Sequence, residues 1–317
     1  MRRHNHDGQW AVLSRFPVTN QLSLYYEWWV PAAPKGILLV AHGIGEHSGR
    51  YGPFARAFYH HGFAVALFDQ RGHGQSDGPR GELVHIQEHL GDLAAFVQLT
   101  RERFPHLPMF LVGHSFGGQL ALNFVVRYSK GLRGLILSSP NIGLKLQLSW
   151  WQQWLCRVGS RWMPSLPLRD SIRPEWLSHD PAIVEQYRRD PRVVRVFTVH
   201  AVMEVLRNLD IVMALAPRIH LPSLFLHAGD DRICDPDATR RFYRRVPVGY
   251  KRLKIYDGFY HELFNEVEKG QVFRDIVQWI DEYRLEELRP LPGVTQHRTY
   301  RESVTTEGAT WSGSSRG

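Results

Sequence analysis

Short apolar runs alternate along this chain with segments whose apolar positions recur at helical spacing. Residues 37–41, 63–68 and 109–112 are uninterrupted apolar runs, the pattern of strands covered on both faces, and 132–140, 223–227 and 251–256 continue the series. Between them the spacing predicts helices. One covers 51–61, with Phe54, Ala55 and Phe58 on one face and Gly62 closing it. A second covers 83–104, with Ile86, Leu90, Leu93, Val97 and Thr100 along one side; others fall at 116–128, near 236–245 and at 265–285. Two β-rich segments, 10–13 and 22–30, precede the series, and 31–36 is a turn. Strands alternating with helices predict an α/β chain on a mostly parallel sheet with helices on both faces. The alternation fails from about Asn141 to Pro217 and then resumes. The expected organisation is a core in two parts, 1–140 and 218–288, interrupted by a cap over 141–217. A disordered tail is expected over 289–317, where apolar residues give way to Ser, Thr, Gly and Arg.

The chemistry centres on Gly113-His114-Ser115-Phe116-Gly117, between strand 109–112 and helix 116–128. A strand that turns sharply into a helix holds the turn residue in a strained conformation, with its side chain clear at the end of the sheet, and small flanking residues let the backbones approach. A serine hydroxyl is a weak nucleophile at neutral pH; it needs a base, and the base needs a group to hold its tautomer. Both are expected on loops after the strands that follow the insertion. Asp230, Asp231 and Asp235 share the first of these loops. His261 lies on the second and is the only histidine past the acid loop before His297 in the tail, which makes it the predicted base. A tetrahedral ester intermediate also needs two backbone N–H donors. Phe116, next to the serine, offers one; Ile44, in the glycine-containing loop after strand 37–41, offers the other.

Five segments in chain order, 42–51 (His-Gly-Ile-Gly-Glu-His-Ser-Gly-Arg-Tyr), 69–76 (Asp-Gln-Arg-Gly-His-Gly-Gln-Ser), 113–118, 231–235 (Asp-Arg-Ile-Cys-Asp) and Tyr260-His261, resemble the monoacylglycerol lipase and lysophospholipase branch of the α/β-hydrolase superfamily. The likeness covers roughly residues 10–285. It implies an α/β-hydrolase fold with a helical cap insertion, and catalysis by Ser115, Asp231 and His261, so that Asp231 is chosen from the three acids. It implies oxyanion donors at Ile44 and Phe116, and neither cofactor nor metal. The family often carries Ala or Met at those two positions, so the larger side chains imply a differently shaped acyl pocket. The implied activity is hydrolysis of a single-chain lipid, monoacylglycerol or lysophospholipid, through an acyl-enzyme. Two alternatives share the fold: a proline-iminopeptidase-like peptidase, and a non-catalytic binding protein. The resemblance makes Cys234 a bystander and gives His42, His47 and His73 the role of holding loops around the oxyanion region.

The insertion is rich in tryptophan: Trp150, Trp151, Trp154, Trp162 and Trp176 are half of the chain's 10. Leu144, Leu148, Trp151, Leu155 and Val158 recur on one face of a helix, with Lys145, Gln152, Gln153 and Arg157 off it. Such a stripe either packs on the body of the protein or forms an apolar lip that binds an acyl chain, with Leu144, Leu148, Trp151 and Leu155 as substrate contacts. With Arg161, Arg169 and Arg173 it also suits peripheral contact with an anionic membrane. Composition adds little that is specific. At 43% hydrophobic and 22% charged residues the chain reads as globular, and no apolar run reaches the length of a membrane span. The formal charge of +8 comes without a basic run or a nucleic-acid-binding motif, so no nucleic-acid partner is expected. Two cysteines, Cys156 and Cys234, and the lack of a secretory signal lead to an expected cytoplasmic location, peripheral at the inner face of the membrane. His85-Ile86-Gln87-Glu88-His89 spells a zinc pattern, but no third ligand is evident.

Overall fold

The computed structural model describes residues 2–4, 10–19, 21–145 and 158–287. The expected cap contacts Leu148, Trp151 and Leu155, and the tail over 289–317, lie outside the described residues. In chain order the strands are β1 (Arg2–His4), β2 (Trp10–Thr19), β3 (Leu22–Trp29), β4 (Ile37–Ala41), β5 (Ala64–Phe68), β6 (Met109–His114), β7 (Leu132–Ser138), β8 (Pro167–Arg169), β9 (Val196–Thr198), β10 (Ser223–Ala228) and β11 (Lys251–Tyr256). The helices are α1 (Gly52–His60), α2 (Ile86–Arg103), α3 (Phe116–Tyr128), α4 (Pro181–Arg189), α5 (Val199–Leu215), α6 (Pro236–Arg245) and α7 (Lys269–Glu287), and residues 158–162 are also helical.

Nine strands make one sheet in the order β1-β2-β3-β5-β4-β6-β7-β10-β11. The six from β5 to β11 in that order are parallel, and β1, β2 and β3 add an antiparallel meander at one edge. Strands β4, β5 and β6 are buried at every position, as their unbroken apolar runs require. Because successive side chains point to opposite faces, the register splits the core in two. Ile37, Leu39 and Leu111 face a layer with Leu93, Phe96, Leu120 and Phe124, from α2 and α3. Leu38, Val40 and Val112 face the other layer, with Phe54 and Phe58 of α1 and Val272, Ile276 and Trp279 of α7.

The structure departs from the sequence expectations in six places. Strand β2 runs on to Thr19 because Arg15 and Pro17 lie on an exposed face of an antiparallel strand, so polar residues do not end it. Strand β1 was not expected. Helix α2 starts at Ile86, with His85 extended at its N-cap, and α7 starts only at Lys269. The insertion is not wholly helical, since β8 and β9 form an antiparallel pair. Leu144 is extended, bridging Cys234, and so does not begin the helical stripe read from its spacing. Among the described residues no helix is long and apolar enough to cross a membrane.

Candidate active site

At the end of β6 the chain enters α3 through Ser115, which sits at φ 51° and ψ −118°. A non-glycine residue in this region is strained, and such strain persists only where the surroundings impose it. Here they do: the Ser115 N–H donates to Ser138 O (3.1 Å), while its carbonyl accepts from the N–H groups of Gly118 (2.9 Å) and Asn141 (3.0 Å). The flanking glycines are required by close approach. A Cβ on Gly113 would lie 2.6 Å from Gly117 O, and one on Gly117 would overlap the carbonyl oxygens of Ala41 and His42. The oxyanion loop and the elbow are thus in backbone contact. Phe116, the first residue of α3, carries one of the N–H groups that a helix leaves without an intrahelical acceptor, at the positive end of the helix dipole.

The residues expected to serve as base and acid, His261 and Asp231, lie together. His261 Nδ1 lies 2.7 Å from Asp231 Oδ2, both side chains almost wholly buried. Asp231 Oδ1 accepts from the N–H groups of Ile233 (2.8 Å) and Cys234 (2.9 Å), and His227 Nε2 lies 3.3 Å from Oδ2. Burial works against this carboxylate, but the charge of His261 and the close rings of His227 and His261 prevail and hold its pKa far below the ordinary range. Of the other two candidates, Asp230 is exposed, and Asp235 caps α6 by accepting from the N–H groups of Asp237 and Ala238. For His261, burial favours the neutral ring, yet the charge and hydrogen bond of Asp231, reinforced by Glu262 and Glu46, raise its pKa above the ordinary 6.5. Its Nδ1–Asp231 contact leaves Nε2 for Ser115. The ring of His114, the residue before the serine, is 4.9 Å from that of His261. Ser115 and His261 are not hydrogen-bonded here, and catalytic hydrogen bonds of this kind commonly tighten only in the substrate complex.

The Cys234 thiol lies against Ser115, and burial, followed by the charge of Asp231, pushes its pKa well up. It is held as a thiol, which is neither a good nucleophile nor a good metal ligand. Asp231, Cys234 and His261 are the one group of described residues with metal-ligand proximity, but Asp231 and His261 already spend their facing atoms on each other. The zinc pattern also dissolves. His85 packs beside His200, while His89 is buried against Phe116 at 6.0 Å between ring centres.

Two buried networks frame the site. His42, driven to a pKa of about 3 by burial, donates from Nδ1 to Gly43 O (2.7 Å) and accepts at Nε2 from the Gln70 N–H (2.9 Å). Glu46 Oε1 accepts from the Gly43 N–H (2.5 Å) and the Tyr51 hydroxyl (2.7 Å). Arg50 then holds Glu262 through two contacts of 2.8 and 2.6 Å and sits 3.6 Å from Glu46. Glu262 neighbours His261, so Arg50 couples the base loop to the oxyanion loop. Burial and the nearby Glu262 charge raise the Glu46 pKa, whereas Arg50 lowers that of Glu262 against its burial. The insertion joins these networks: His47 Nε2 lies 2.9 Å from Asp190, Val194 N–H donates to Gly45 O (2.8 Å), and Glu262 N–H donates to Leu177 O (2.8 Å).

A cavity of about 680 Å³ opens on Ser115. Its wall is mostly apolar, with Ile44, Leu144, Leu168, Phe197, Val202 and Ile233 among its residues, and Arg169, Asp170 and Ser171 are among its polar residues. Ile44 therefore shapes the cavity with its side chain. Phe116 does not: it is fully buried in the core layer beneath the elbow. Of the two larger residues, Ile44 alone lines the cavity.

The family described as serine aminopeptidase S33 matches residues 32–268. An uncharacterized abhydrolase domain-containing protein of Dictyostelium discoideum is 34% identical over 275 residues, which are 86% of this chain but only 29% of that protein. The monoacylglycerol lipase of Mycolicibacterium smegmatis is 31% identical over 259 residues, 81% of this chain and 92% of that one. The crystal structure of Paleococcus ferrophilus monoacylglycerol lipase, 31% identical, superimposes with a TM-score of 0.74 over 82% of this chain and 99% of that one. This chain belongs to the monoacylglycerol lipase branch of the α/β-hydrolases. In this α/β-hydrolase, Ser115, Ile44 and Leu144 line the cavity, Asp231 and His261 pair with each other, and Phe116 follows Ser115 at the start of α3. Glu46, Arg50 and Glu262 were not singled out as a group from sequence. The signal was present in the Glu-His-Ser-Gly-Arg-Tyr and Tyr-His-Glu segments, but nothing local says that their charges are buried together.

Proposed function

We propose that this protein is a serine hydrolase that releases a fatty acid from a single-chain lipid ester, with monoacylglycerol as the favoured substrate class. The observation that carries the reading is the mostly apolar cavity of about 680 Å³ opening on Ser115, together with the buried Asp231–His261 pair. Ser115 Oγ attacks the ester carbonyl carbon as His261 Nε2 takes its proton, and the N–H groups of Ile44 and Phe116 stabilise the resulting oxyanion. The intermediate collapses with loss of the alcohol, which His261 protonates. Water, deprotonated by the same imidazole, then attacks the acyl-enzyme and frees the fatty acid. Asp231 fixes the ring's tautomer and offsets its charge. The insertion serves as the cap over the acyl chain. The same reading sets it against an anionic bilayer, since Trp162 and Met163, 76% and 58% exposed, stand beside Arg161.

A turnover panel of monooleoylglycerol, lysophosphatidylcholine and a prolyl anilide tests the assignment, with Ser115→Ala as control. Serine-dependent turnover of monooleoylglycerol is expected to dominate; turnover of the prolyl anilide alone would replace the lipase reading with the peptidase one. The pH profile is a second test. The base must be neutral to act, and its pKa is raised, so kcat/KM is expected to climb with pH through a single midpoint above 6.5. A midpoint below 6.5 would contradict the role given to Asp231.

A further inference from the structure

We propose that Tyr260 is a positioning residue for the base, its ring tying the acid loop, the base loop and the insertion together so that His261 keeps its contact with Asp231. The inference rests on the serine-hydrolase reading above. Arg232 follows the acid and Tyr260 precedes the base, and these two flanking side chains meet. The Arg232 guanidinium lies 5.1 Å from the centre of the Tyr260 ring, and its Nη2 donates to the phenol oxygen (3.3 Å). His179, from the insertion, stacks on the same ring, with 3.7 Å between ring centres and 25° between the planes. Glu266, only 2% exposed, holds the same two residues. Its Oε1 accepts from the Tyr260 N–H (2.7 Å) and lies 2.9 Å from His179 Nδ1, and its Oε2 accepts from the His179 N–H (3.1 Å).

Main-chain bonds bring the three segments near one another. Asp230 N–H donates to Phe259 O (3.0 Å), and His261 N–H donates to Trp176 O (3.3 Å). The Tyr260 ring completes the bracket, since it meets Arg232 on the other side of Asp231 in the chain. Stacked rings, and a guanidinium over a ring, attract beyond the area they bury. A base whose Nδ1 partner drifts loses its tautomer and its aim, and a displacement of about 1 Å can cost on the order of a hundredfold in rate. Tyr260, His179 and Arg232 are not among the described residues that line the cavity, so the effect falls on the chemical step and not on substrate binding.

The test is Tyr260→Leu, which removes the ring, beside Tyr260→Phe, which keeps it. His179→Ala removes the stack from the other side, at an exposed position. Each variant is labelled with a fluorophosphonate across pH and assayed on monooleoylglycerol, with circular dichroism as the folding control. Tyr260→Leu is expected to lower the labelling rate and kcat by roughly tenfold to a hundredfold, with KM little changed. Its pH midpoint is expected to fall toward 6.5, because Asp231 then supports the charged imidazole less; Glu262, Glu46 and His114, which also act on that ring, are not ring or hydrogen-bond partners of Tyr260. Tyr260→Phe is expected to keep rate and midpoint near those of wild type, and His179→Ala to move both in the direction of Tyr260→Leu. Folded Tyr260→Leu at the wild-type rate, a loss of rate at an unmoved midpoint, or an equal loss in Tyr260→Phe would overturn the inference alone. Should Tyr260→Leu fail to fold, an unmoved rate and midpoint in His179→Ala would overturn it. Folded wild-type protein that does not label would overturn the serine-hydrolase reading with it.

Discussion

Ser115→Ala is expected to lower kcat on a monoacylglycerol by a factor on the order of 10⁶, and Asp231→Asn by about 10⁴, with the fold intact in both. The two numbers differ for a physical reason. Without the hydroxyl there is no acyl-enzyme, and only cavity and oxyanion donors remain. With Asn at 231 the geometry survives, but the amide can donate to Nδ1 where the carboxylate accepted from it, so Nε2 carries the proton and cannot take one from Ser115. Asp231 Oδ2 is the one carboxylate oxygen within 2.7 Å of His261 Nδ1, and Oδ1 is already committed to two backbone N–H groups. Steady-state turnover with circular dichroism as the folding control checks both. Residual kcat within tenfold of wild type in either variant would remove that residue from the mechanism.

Arg50→Ala is expected to be the most destabilising single substitution outside the sheet, by about 3–5 kcal/mol, because it strands two buried carboxylates. Arg50, Glu46 and Glu262 are each no more than 5% exposed, and the guanidinium also lies 4.9 Å over the Tyr187 ring of the insertion. At this chain length such a loss corresponds to a fall in Tm on the order of 5–8 °C. The pH dependence follows from the charges. Without Arg50, folding raises the pKa of Glu262 above its unfolded value, so the folded state holds the extra proton. Its deficit is then smallest in acid and grows as pH rises through the folded pKa. Thermal melts at pH 5 and pH 8 should therefore show the larger gap from wild type at pH 8. In a double-mutant cycle, adding Glu262→Gln to Arg50→Ala should cost less than it does in wild type. Equal gaps at both pH values would mean that Arg50 acts through packing on Tyr187 and not through charge.

What the sequence disclosed and what it hid have separate physical causes. The parallel strands and α1, α2, α3 and α6 were legible because a strand buried on both faces must be apolar throughout, and a helix on a sheet must be apolar on one side. The proposed nucleophile, Ser115, was legible because Gly113 and Gly117 are forced by backbone contacts that leave no room for a Cβ. Choosing Asp231 over Asp230 and Asp235 needed the family likeness, since all three share one loop and only burial separates them. The Arg50–Glu262 pair spans 212 positions, and charged residues read locally as solvated, so its burial had no local trace. The β8–β9 pair escaped because strands of three residues are too short to show a period.

The account stands on Ser115 being the residue that carries the acyl group. Labelling with a fluorophosphonate, followed by intact mass and peptide mapping, addresses this directly. One adduct per chain is predicted, on Ser115, formed faster as pH rises above 6.5, and absent from Ser115→Ala. An adduct on any other residue, or none on folded wild-type protein, would contradict the account.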